Sequence, residues 1–361
     1  MKFLDINNQD KNLNKKIISD IKKIINNCDF INGQKVNEFE IKFAKYCGSK
    51  FAIGCGNGTD AILLALKALN LKEGSEVILP AMTYCSTAFS VINAGLKPVL
   101  ADISSKSSIV SYENIIKKIN KNTKVILMVH LYGQSCDIKK LNELKKKYKL
   151  FIIEDASQAH GAYDNNGIKV GSYSDISCFS LYPGKNLGAY GDAGIVTTNR
   201  QSIFNKIKKL RNLGSSKKYH HDIVGFNSRL DTLQASILIH KLKNLDKNNN
   251  KRKVIANFYN KKINNDKIQK INYSTGCVFH QYVVIVKDIY NFMNYLKIKK
   301  IPFGRHYPFA IHQLTSLKHI FKNQKYPNSE KLAKYGVSLP IDPYLTKKNL
   351  IKIVNTINKF K

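Results

Sequence analysis

Short apolar runs alternate with helix-like segments along the first two thirds of the chain. Four clear runs lie at Val77 to Leu79, Pro98 to Asp102, Val125 to Val129 and Leu150 to Asp155. Runs that are apolar at nearly every position are typical of strands buried on both faces of a sheet. Because helix-like segments separate them, the pattern predicts an α/β fold with a mixed, mainly parallel sheet wound with helices.

Two helices are predicted from the same pattern. Thr59 to Leu69 has the sequence TDAILLALKAL and is apolar almost all round, with Thr59 as an N-cap candidate. We expect this helix to be buried against the sheet. A second helix is predicted near the start of the chain, from Asn14 to Cys28.

The pattern changes at about residue 244. A polar stretch rich in Lys and Asn runs from Asp246 to Arg252, and shorter strands such as Gln281 to Val286 and a terminal helix follow. A chain of 361 residues also exceeds the usual size of a single core. We therefore predict a large domain over residues 1–244 and a smaller α+β domain over residues 245–361, with the early helix packing near the smaller domain.

The charge balance is strongly basic, with 59 Lys and Arg against 25 Asp and Glu. A basic surface can attract nucleic acid or anionic membrane. The lysines are spread through runs such as Lys145 to Lys147, beside abundant Asn and Ile, and no nucleic-acid recognition motif accompanies them. The balance therefore indicates solvated faces, and a positive field that favours a negatively charged small substrate.

The seven cysteines are isolated and lack the paired spacing of zinc or redox sites, so we predict no metal site and reduced thiols. The first residues contain no apolar signal core, and no stretch approaches the length of a membrane span. We expect a soluble cytoplasmic protein that binds neither membrane nor nucleic acid.

One lysine differs in its surroundings from the others. Lys185 follows an apolar run and a Pro183-Gly184 pair, and Gly188, Gly191 and Gly194 come soon after it. Glycines let a backbone approach a ligand closely. A lysine near glycines is more often structural or incidental than catalytic. Whether Lys185 is catalytic therefore depends on the other residues of the site.

An acid ends the strand predicted at Leu150 to Asp155. Asp155 opens the sequence Asp-Ala-Ser-Gln-Ala-His-Gly and lies at the carboxyl edge of the sheet, where ligands of α/β proteins bind. The alternative is an Asp that caps the next helix.

A loop with glycines, Gly54 to Asp60, leads directly into the predicted buried helix. It offers backbone amides and the positive end of a helix dipole, which suit a phosphate, although a tight strand-to-helix turn would have the same sequence. Ser180 could add a hydroxyl. Tyr84 follows another strand end and could stack on a flat heteroaromatic ring or be a core tyrosine.

Together these groups predict a pyridoxal phosphate site. Such a cofactor forms a Schiff base with a lysine, here Lys185, and needs an acid such as Asp155 beside its ring nitrogen. The protonated ring then accepts the electron pair of a substrate carbanion.

This combination of motifs resembles the sugar aminotransferases of the DegT/DnrJ/EryC1/StrS family. The resemblance spans nearly the whole chain, from Phe30-Ile31-Asn32-Gly33 through the Asn-Gly-Thr-Asp-Ala and Glu-Asp-Ala-Ser-Gln-Ala-His-Gly-Ala motifs to Gly225-Phe226-Asn227-Ser228-Arg229. It implies the architecture of fold type I pyridoxal phosphate-dependent aminotransferases, with a seven-stranded type of sheet. It also implies a homodimer whose active site is shared between subunits.

The resemblance implies a role for each matching residue. Lys185 would be the Schiff-base lysine and Asp155 the partner of the ring nitrogen. Gln158 would lie near the ring hydroxyl and Tyr84 would stack on the ring. The phosphate would be held by Gly58, Thr59 and Ser180, and by Asn227 of the neighbouring subunit.

The resemblance also implies the reaction. L-glutamate would donate the amino group, leaving the cofactor as pyridoxamine phosphate, and a nucleotide-linked keto sugar would accept it. The segments around Lys218 to Asn227 and Arg305 to Gln313 are more similar to 3-aminotransferases, which implies a dTDP-3-amino-3,6-dideoxyhexose as product, for lipopolysaccharide, O-antigen or another surface glycan. The substrate-binding candidates are Lys217, Lys218, Tyr219, His220, Arg305, His306, Tyr307 and His312.

Several alternatives stay open. Amination of a 4-keto sugar nucleotide is the alternative within enzymes, and a regulatory or nucleic-acid-binding protein on the same fold is the alternative outside them. For His306 and His312, loop histidines with structural hydrogen bonds are equally compatible with the sequence. Exposed basic residues such as Lys217 and Lys218 usually have no ligand at all.

Overall fold

A seven-stranded sheet lies at the centre of the first part of the chain. The computed structural model describes residues 1–6 and 11–361, with side chains from residue 13 onwards in the second range. The strands are β1 Phe51–Cys55, β2 Glu76–Pro80, β3 Lys97–Ala101, β4 Thr123–Val129, β5 Phe151–Asp155, β6 Ile176–Ser180 and β7 Gly194–Thr198. Their order is β1-β7-β6-β5-β4-β2-β3.

The pairing confirms the predicted mainly parallel sheet. Strands β3, β2, β4, β5 and β6 are joined by parallel pairing, and β7 runs antiparallel to both β6 and β1. The four predicted apolar runs are β2, β3, β4 and β5, each within two residues of the observed bounds. Because the parallel strands end at one edge, the loops that follow them lie together there.

Helices cover both faces of this sheet. They are α1 Lys11–Asn26, α2 Gln34–Cys47, α3 Gly58–Ala68, α4 Cys85–Asn93, α5 Tyr112–Ile116, α6 Ile138–Tyr148, α7 Gln201–Leu210 and α8 Thr232–Leu242. The predicted buried helix is α3, whose Ala61, Leu64 and Ala65 lie in the core. Its N-cap is Asn57 rather than Thr59, because the Asn57 side chain accepts a hydrogen bond from the Asp60 amide.

Helix α1 is the predicted early helix, and its packing near the smaller domain stays a prediction. Helix α1 packs against α8, where His240 Nε2 lies 2.9 Å from Asp20 Oδ2. The residues before α1 contact the C-terminal part, where the amide of Asp5 donates to Asp342 Oδ2 at 3.0 Å. The amphipathic sequence of α1 shows which face of the helix is apolar, but it does not show which part of the protein packs against that face.

A second, three-stranded antiparallel sheet lies in the C-terminal part. Its strands are β10 Ile268–Lys270, β11 Tyr282–Val286 and β12 Gly336–Leu339, and the helices here are α9 Leu245–Lys262, α10 Ile289–Ile298, α11 Pro327–Tyr335 and α12 Lys347–Asn358. A separate apolar cluster that includes Tyr259, Tyr282 and Phe292 packs between them. The division at residues 244 and 245 stays a prediction.

The polar stretch from Asp246 to Arg252 is helical, as part of α9. The first buried positions of α9 are Leu245, Asn249 and Arg252, which lie on one face at helical spacing. Two of these three are polar, so the apolar periodicity that predicts a helix is missing there.

Three smaller elements complete the described fold. Strands β8 Ser215–Lys217 and β9 His220–His221 form an exposed hairpin, and two 3-10 turns lie at Leu131–Gly133 and Ile311–Gln313. In the two described ranges, every helix is too short or too polar to cross a membrane.

Candidate functional site

A cavity of about 650 Å³ opens at the carboxyl ends of the parallel strands. Residues at the ends of β4, β5 and β6 border it, together with the start of α3. The structure brings seven of the predicted cofactor residues to its wall, namely Gly58, Thr59, Tyr84, Asp155, Gln158, Ser180 and Lys185. Sequence positions separated by more than 120 residues therefore meet in one place.

Lys185 lies in the connection between β6 and β7. Its amide donates to the carbonyl of Tyr182 at 2.9 Å, which closes a turn. Gly188 is required in this turn, because a Cβ there would lie 2.5 Å from the carbonyl oxygen of Pro183. Burial lowers the pKa of Lys185 to about 8, and the nearby carboxylate of Asp155 opposes that shift. The amine is therefore held close to its charge transition at neutral pH.

Asp155 is buried at the end of β5 and is fixed by two donors. The Thr87 hydroxyl donates to its Oδ2 at 2.8 Å, and the amide of Ser157 donates to its Oδ1 at 3.2 Å. Thr83 lies behind Thr87, with the two hydroxyls 2.9 Å apart. These two hydrogen bonds fix the orientation of the carboxylate in the wall of the cavity.

The start of α3 forms another part of the wall. The first amides of a helix have no acceptor within the helix, and both Gly58 and Thr59 line the cavity at this point. A Cβ on Gly58 would lie 2.5 Å from the Cβ of Ser180, so only glycine allows the helix start and the end of β6 to approach each other this closely. Thr59 Oγ1 donates to Ser86 Oγ at 2.9 Å. Amides, hydroxyls and the helix dipole favour an anion here.

Two acids also border the cavity near this point. Asp60 accepts a hydrogen bond from the Ser228 hydroxyl at 2.7 Å, whereas Asp192 is exposed. An anion at the start of α3 would therefore need the amides and hydroxyls to outweigh these carboxylates.

Gln158 connects the cavity to the C-terminal part. Its Oε1 accepts from the amide of Tyr132 at 2.6 Å, and its Nε2 donates to the hydroxyl of Tyr307 at 2.9 Å. The Tyr307 ring centroid lies 5.3 Å from that of Tyr84. Tyr307 was predicted as a substrate contact, and the structure places it in the same wall as the predicted cofactor residues.

The structure does not bring the predicted contacts of the β8–β9 hairpin to this cavity. Lys217, Lys218, Tyr219 and His220 are exposed in or beside that hairpin, and Tyr219 keeps 83% of its surface exposed. Asn227 is also exposed and pairs with Asn212 in an isolated bridge. Among the described residues of one chain, none of these five lines the cavity.

Arg305, His306 and His312 are engaged in structural contacts. The Arg305 guanidinium donates to backbone carbonyls at the end of α11. His306 Nδ1 lies 2.8 Å from Ser338 Oγ, and burial lowers the pKa of its ring to about 4. His312 Nε2 lies 3.0 Å from Glu330 Oε1. None of the three side chains lines the cavity within the described chain, so their role in substrate binding stays a prediction.

Sequence reasoning missed several residues of the wall. Thr87 is the most informative, because it donates directly to Asp155. Thr83, Ser86 and Tyr182 also line the cavity. A signal was available for the first three, since they flank Tyr84 immediately after β2 at the same sheet edge.

Comparison with known proteins identifies the family and several similar structures. The DegT/DnrJ/EryC1/StrS aminotransferase family matches residues 11–358. A relative from Aneurinibacillus thermoaerophilus, named dTDP-3-amino-3,6-dideoxy-alpha-D-galactopyranose transaminase, is 39% identical over 360 residues, which cover 99% of each chain.

Two solved structures are similar over almost the whole chain. DesV from S. venezuelae, in complex with a ketimine intermediate, has a TM-score of 0.96 and 31% identity, with 99% of this chain and 97% of that chain covered. The Bacillus subtilis protein NtdA, with bound cofactor PMP, has a TM-score of 0.92 and 27% identity, with 99% and 84% covered.

Proposed function

Because the chain belongs to the DegT/DnrJ/EryC1/StrS aminotransferase family, we propose that it is a pyridoxal 5'-phosphate-dependent aminotransferase acting on a nucleotide-linked keto sugar. The observation that carries this proposal is the meeting of Lys185, Asp155 and the start of α3 in one cavity. The cofactor named for NtdA, PMP, is the aminated form that such a reaction leaves.

The residues present fit this cofactor. A lysine with a lowered pKa suits Schiff-base formation, and an ionised acid suits a protonated ring nitrogen. The close approach of Gly58 to Ser180 leaves amides and a hydroxyl for a phosphate. A cavity of about 650 Å³ lies within the range of about 300–1,000 Å³ that small-molecule sites occupy.

The mechanism assigns each residue a task. Bound pyridoxal phosphate supplies an electron sink that stabilises negative charge on the substrate carbon. Lys185 Nζ takes up and returns the proton of the substrate carbon. Its lowered pKa allows this, because the amine exists both with and without a proton near neutral pH. Asp155 would keep a proton on the ring nitrogen, and Thr87 orients Asp155. Gln158 and Tyr84 would hold the ring, while Gly58, Thr59 and Ser180 would hold the phosphate.

We propose that the acceptor is dTDP-3-keto-6-deoxyhexose, which gives a dTDP-3-amino-3,6-dideoxyhexose, and that L-glutamate is the donor. The relative from A. thermoaerophilus supports the 3-position by its name. Amination of a 4-keto sugar is the alternative outcome. The product would serve surface glycan synthesis, including lipopolysaccharide or O-antigen, from the cytoplasm.

We propose a homodimer in which each subunit completes the site of the other. The exposed hairpin with Lys217, Lys218, Tyr219 and His220 and the exposed Asn227 support this arrangement, because they have no role in the cavity of their own chain.

An absorbance measurement tests the cofactor and the lysine. Protein supplied with pyridoxal phosphate is expected to show a yellow band that shifts when L-glutamate is added. Lys185→Ala is expected to lose the band, whereas Lys243→Ala, which changes an exposed lysine after α8, is expected to keep it. Colourless wild-type protein that does not respond to glutamate would contradict the enzyme proposal and favour a non-catalytic role.

The position of amination needs the product. Incubation with L-glutamate and each isomeric keto sugar nucleotide, followed by NMR location of the new C–N bond, is expected to show nitrogen at the third carbon. Nitrogen at the fourth carbon would establish the alternative. Size-exclusion chromatography with light scattering tests the dimer.

A further inference from the structure

A second, smaller cavity also borders Lys185. Its volume is about 70 Å³, and Lys185 and the neighbouring Asn186 belong to its wall. The end of α8, the first turns of α9 and the segment after β12 supply most of the rest. The polar side chains in this wall are Asp5, Lys185, Asn186, Lys241, Asn244, Asn248, Arg252, Asp342 and Tyr344. Lys185 therefore borders both cavities.

Two further cations line this second cavity. Arg252 is buried, and its Nη1 donates to the carbonyl of Ile341 at 2.8 Å. Lys241 Nζ lies 4.9 Å from the centroid of the Tyr190 ring. Within residues 1–6 and 13–361, no acid forms an ion pair with Lys241. A partly buried ammonium without a counter-ion is costly, which points to an anionic ligand.

The two acids of this wall already have other partners. Asp342 accepts hydrogen bonds from the amides of Asp5 and Tyr344, at 3.0 and 2.8 Å. The Asp5 carboxylate pairs with Lys2 at 3.0 Å. Neither acid therefore compensates the charge of Lys241 directly. The amide side chains of Asn244 and Asn248 add neutral donors on the same side.

We propose that this second cavity binds the distal carboxylate of a dicarboxylic amino donor, with Lys241 as its principal counter-ion. The inference rests on the proposed function and deepens it by assigning the donor a binding site. The donor's amine would react beside Lys185 in the larger cavity, and its side chain would extend past Lys185 towards Lys241. A volume of about 70 Å³ exceeds the space of roughly 15 Å³ that one water needs, so a carboxylate fits.

The protonation behaviour of Lys241 agrees with this assignment. Burial lowers the pKa of its ammonium to about 8. A carboxylate placed against it would favour the charged form and raise that pKa. When the donor binds near pH 8, Lys241 is therefore expected to take up a proton. Binding should weaken as the pH rises above the pKa that Lys241 has in the free protein.

The same cations could instead meet a phosphate of the sugar nucleotide. The two half-reactions distinguish the donor carboxylate from the sugar-nucleotide phosphate, because the donor enters only the first half-reaction and the sugar nucleotide only the second. Lys241→Gln removes the charge, Lys241→Arg retains it, and Lys243→Gln makes the same change at an exposed lysine two residues further along the chain.

For Lys241→Gln we expect the half-saturating concentration of L-glutamate in the first half-reaction to rise about tenfold or more, the size of a lost hydrogen bond to a charged group. The half-saturating concentration of the keto sugar nucleotide in the second half-reaction should stay within about twofold. Lys241→Arg should recover most of the loss, and Lys243→Gln should match the wild type. A loss confined to the sugar-nucleotide step, or equal losses in Lys241→Gln and Lys243→Gln, would overturn the proposal.

A binding measurement gives a readout independent of turnover. Glutarate has the two carboxylates of the donor without its amine, and its binding to the cofactor-loaded wild-type protein can be followed by calorimetry in two buffers of different ionisation heat. We expect binding with proton uptake near pH 8, lost in Lys241→Gln. Aminotransferase activity in a wild-type protein that does not bind glutarate would overturn this inference alone, whereas absence of activity with every donor would overturn the proposed function.

Discussion

Lys185 is expected to react with aldehydes at neutral pH far faster than the other lysines. Its pKa of about 8 compares with 10.5 for an ordinary lysine. At pH 7 these values leave about one amine in ten unprotonated, against about one in three thousand, a difference of roughly 300-fold. The cause is burial, since an ammonium removed from water loses solvation, and the Asp155 carboxylate recovers only part of that loss.

Asp155→Asn separates the effect of burial on the pKa of Lys185 from the effect of the Asp155 charge. The substitution keeps the size of the side chain and leaves an oxygen for the Thr87 hydroxyl, but it removes the negative charge that stabilises the ammonium. The pKa of Lys185 should therefore fall below about 8, and its reactivity at pH 7 should rise. If Asp155 instead served to deprotonate Lys185, the reactivity of Lys185 at pH 7 would fall in Asp155→Asn.

The assay is reductive alkylation of the cofactor-free protein with a simple aldehyde between pH 6 and 10, with the adduct at each lysine counted by mass spectrometry of peptides. Lys243 serves as an exposed reference in the same sample. We expect a midpoint near pH 8 for Lys185 and a lower midpoint in Asp155→Asn. A midpoint near 10.5 would refute the role of burial, and an upward shift in the variant would refute the role of Asp155.

Three other substitutions test the wall of the larger cavity and its support. Gly58→Ala places a Cβ 2.5 Å from that of Ser180, so calorimetry should show at least about tenfold weaker binding of pyridoxal phosphate, while an unchanged affinity would count against a phosphate site at α3. Thr87→Val removes the 2.8 Å hydrogen bond to Asp155 and should lower the free energy of unfolding, measured in urea, by about 1–3 kcal/mol. Thr87→Ser keeps the hydroxyl and should stay close to the wild type. Equal losses in both variants would show that the hydroxyl is not responsible. Glu154→Ala leaves the buried His130 ring, the Gly171 amide and the Ser177 hydroxyl without their partner, and should lower the free energy of unfolding by about 3–5 kcal/mol. A loss below about 1 kcal/mol would contradict the importance of this network.

The sheet and the centre of the site could be predicted from the sequence for one physical reason. Strands buried on both faces are continuous apolar runs, so their ends are visible, and parallel strands present those ends at one edge. Asp155 lies at such an end, and Lys185 follows another. Their meeting in the larger cavity follows from topology and needs no knowledge of side-chain packing.

The partners of these residues could not be predicted in the same way. The position of Thr87 after β2 indicates the sheet edge at which it lies, but its hydrogen bond to Asp155 joins positions 68 residues apart and depends on the packing of the folded chain. Helix α9 was read as a polar stretch because two of its first buried positions are Asn249 and Arg252. Asn249 is buried because it donates to the carbonyl of His160 at 2.8 Å, a contact that only the folded chain creates.

The hydrogen bonds of Gln158 define what Tyr307 can do. The Gln158 oxygen accepts from the Tyr132 amide, which can only donate, so the side-chain nitrogen must face the Tyr307 hydroxyl. The Tyr307 oxygen then acts as acceptor, and its own hydrogen is left to donate into the cavity. Burial raises the pKa of this hydroxyl, so it keeps that hydrogen at neutral pH. A residue first considered for substrate binding is therefore oriented, through Gln158, as a hydrogen-bond donor to whatever occupies the larger cavity.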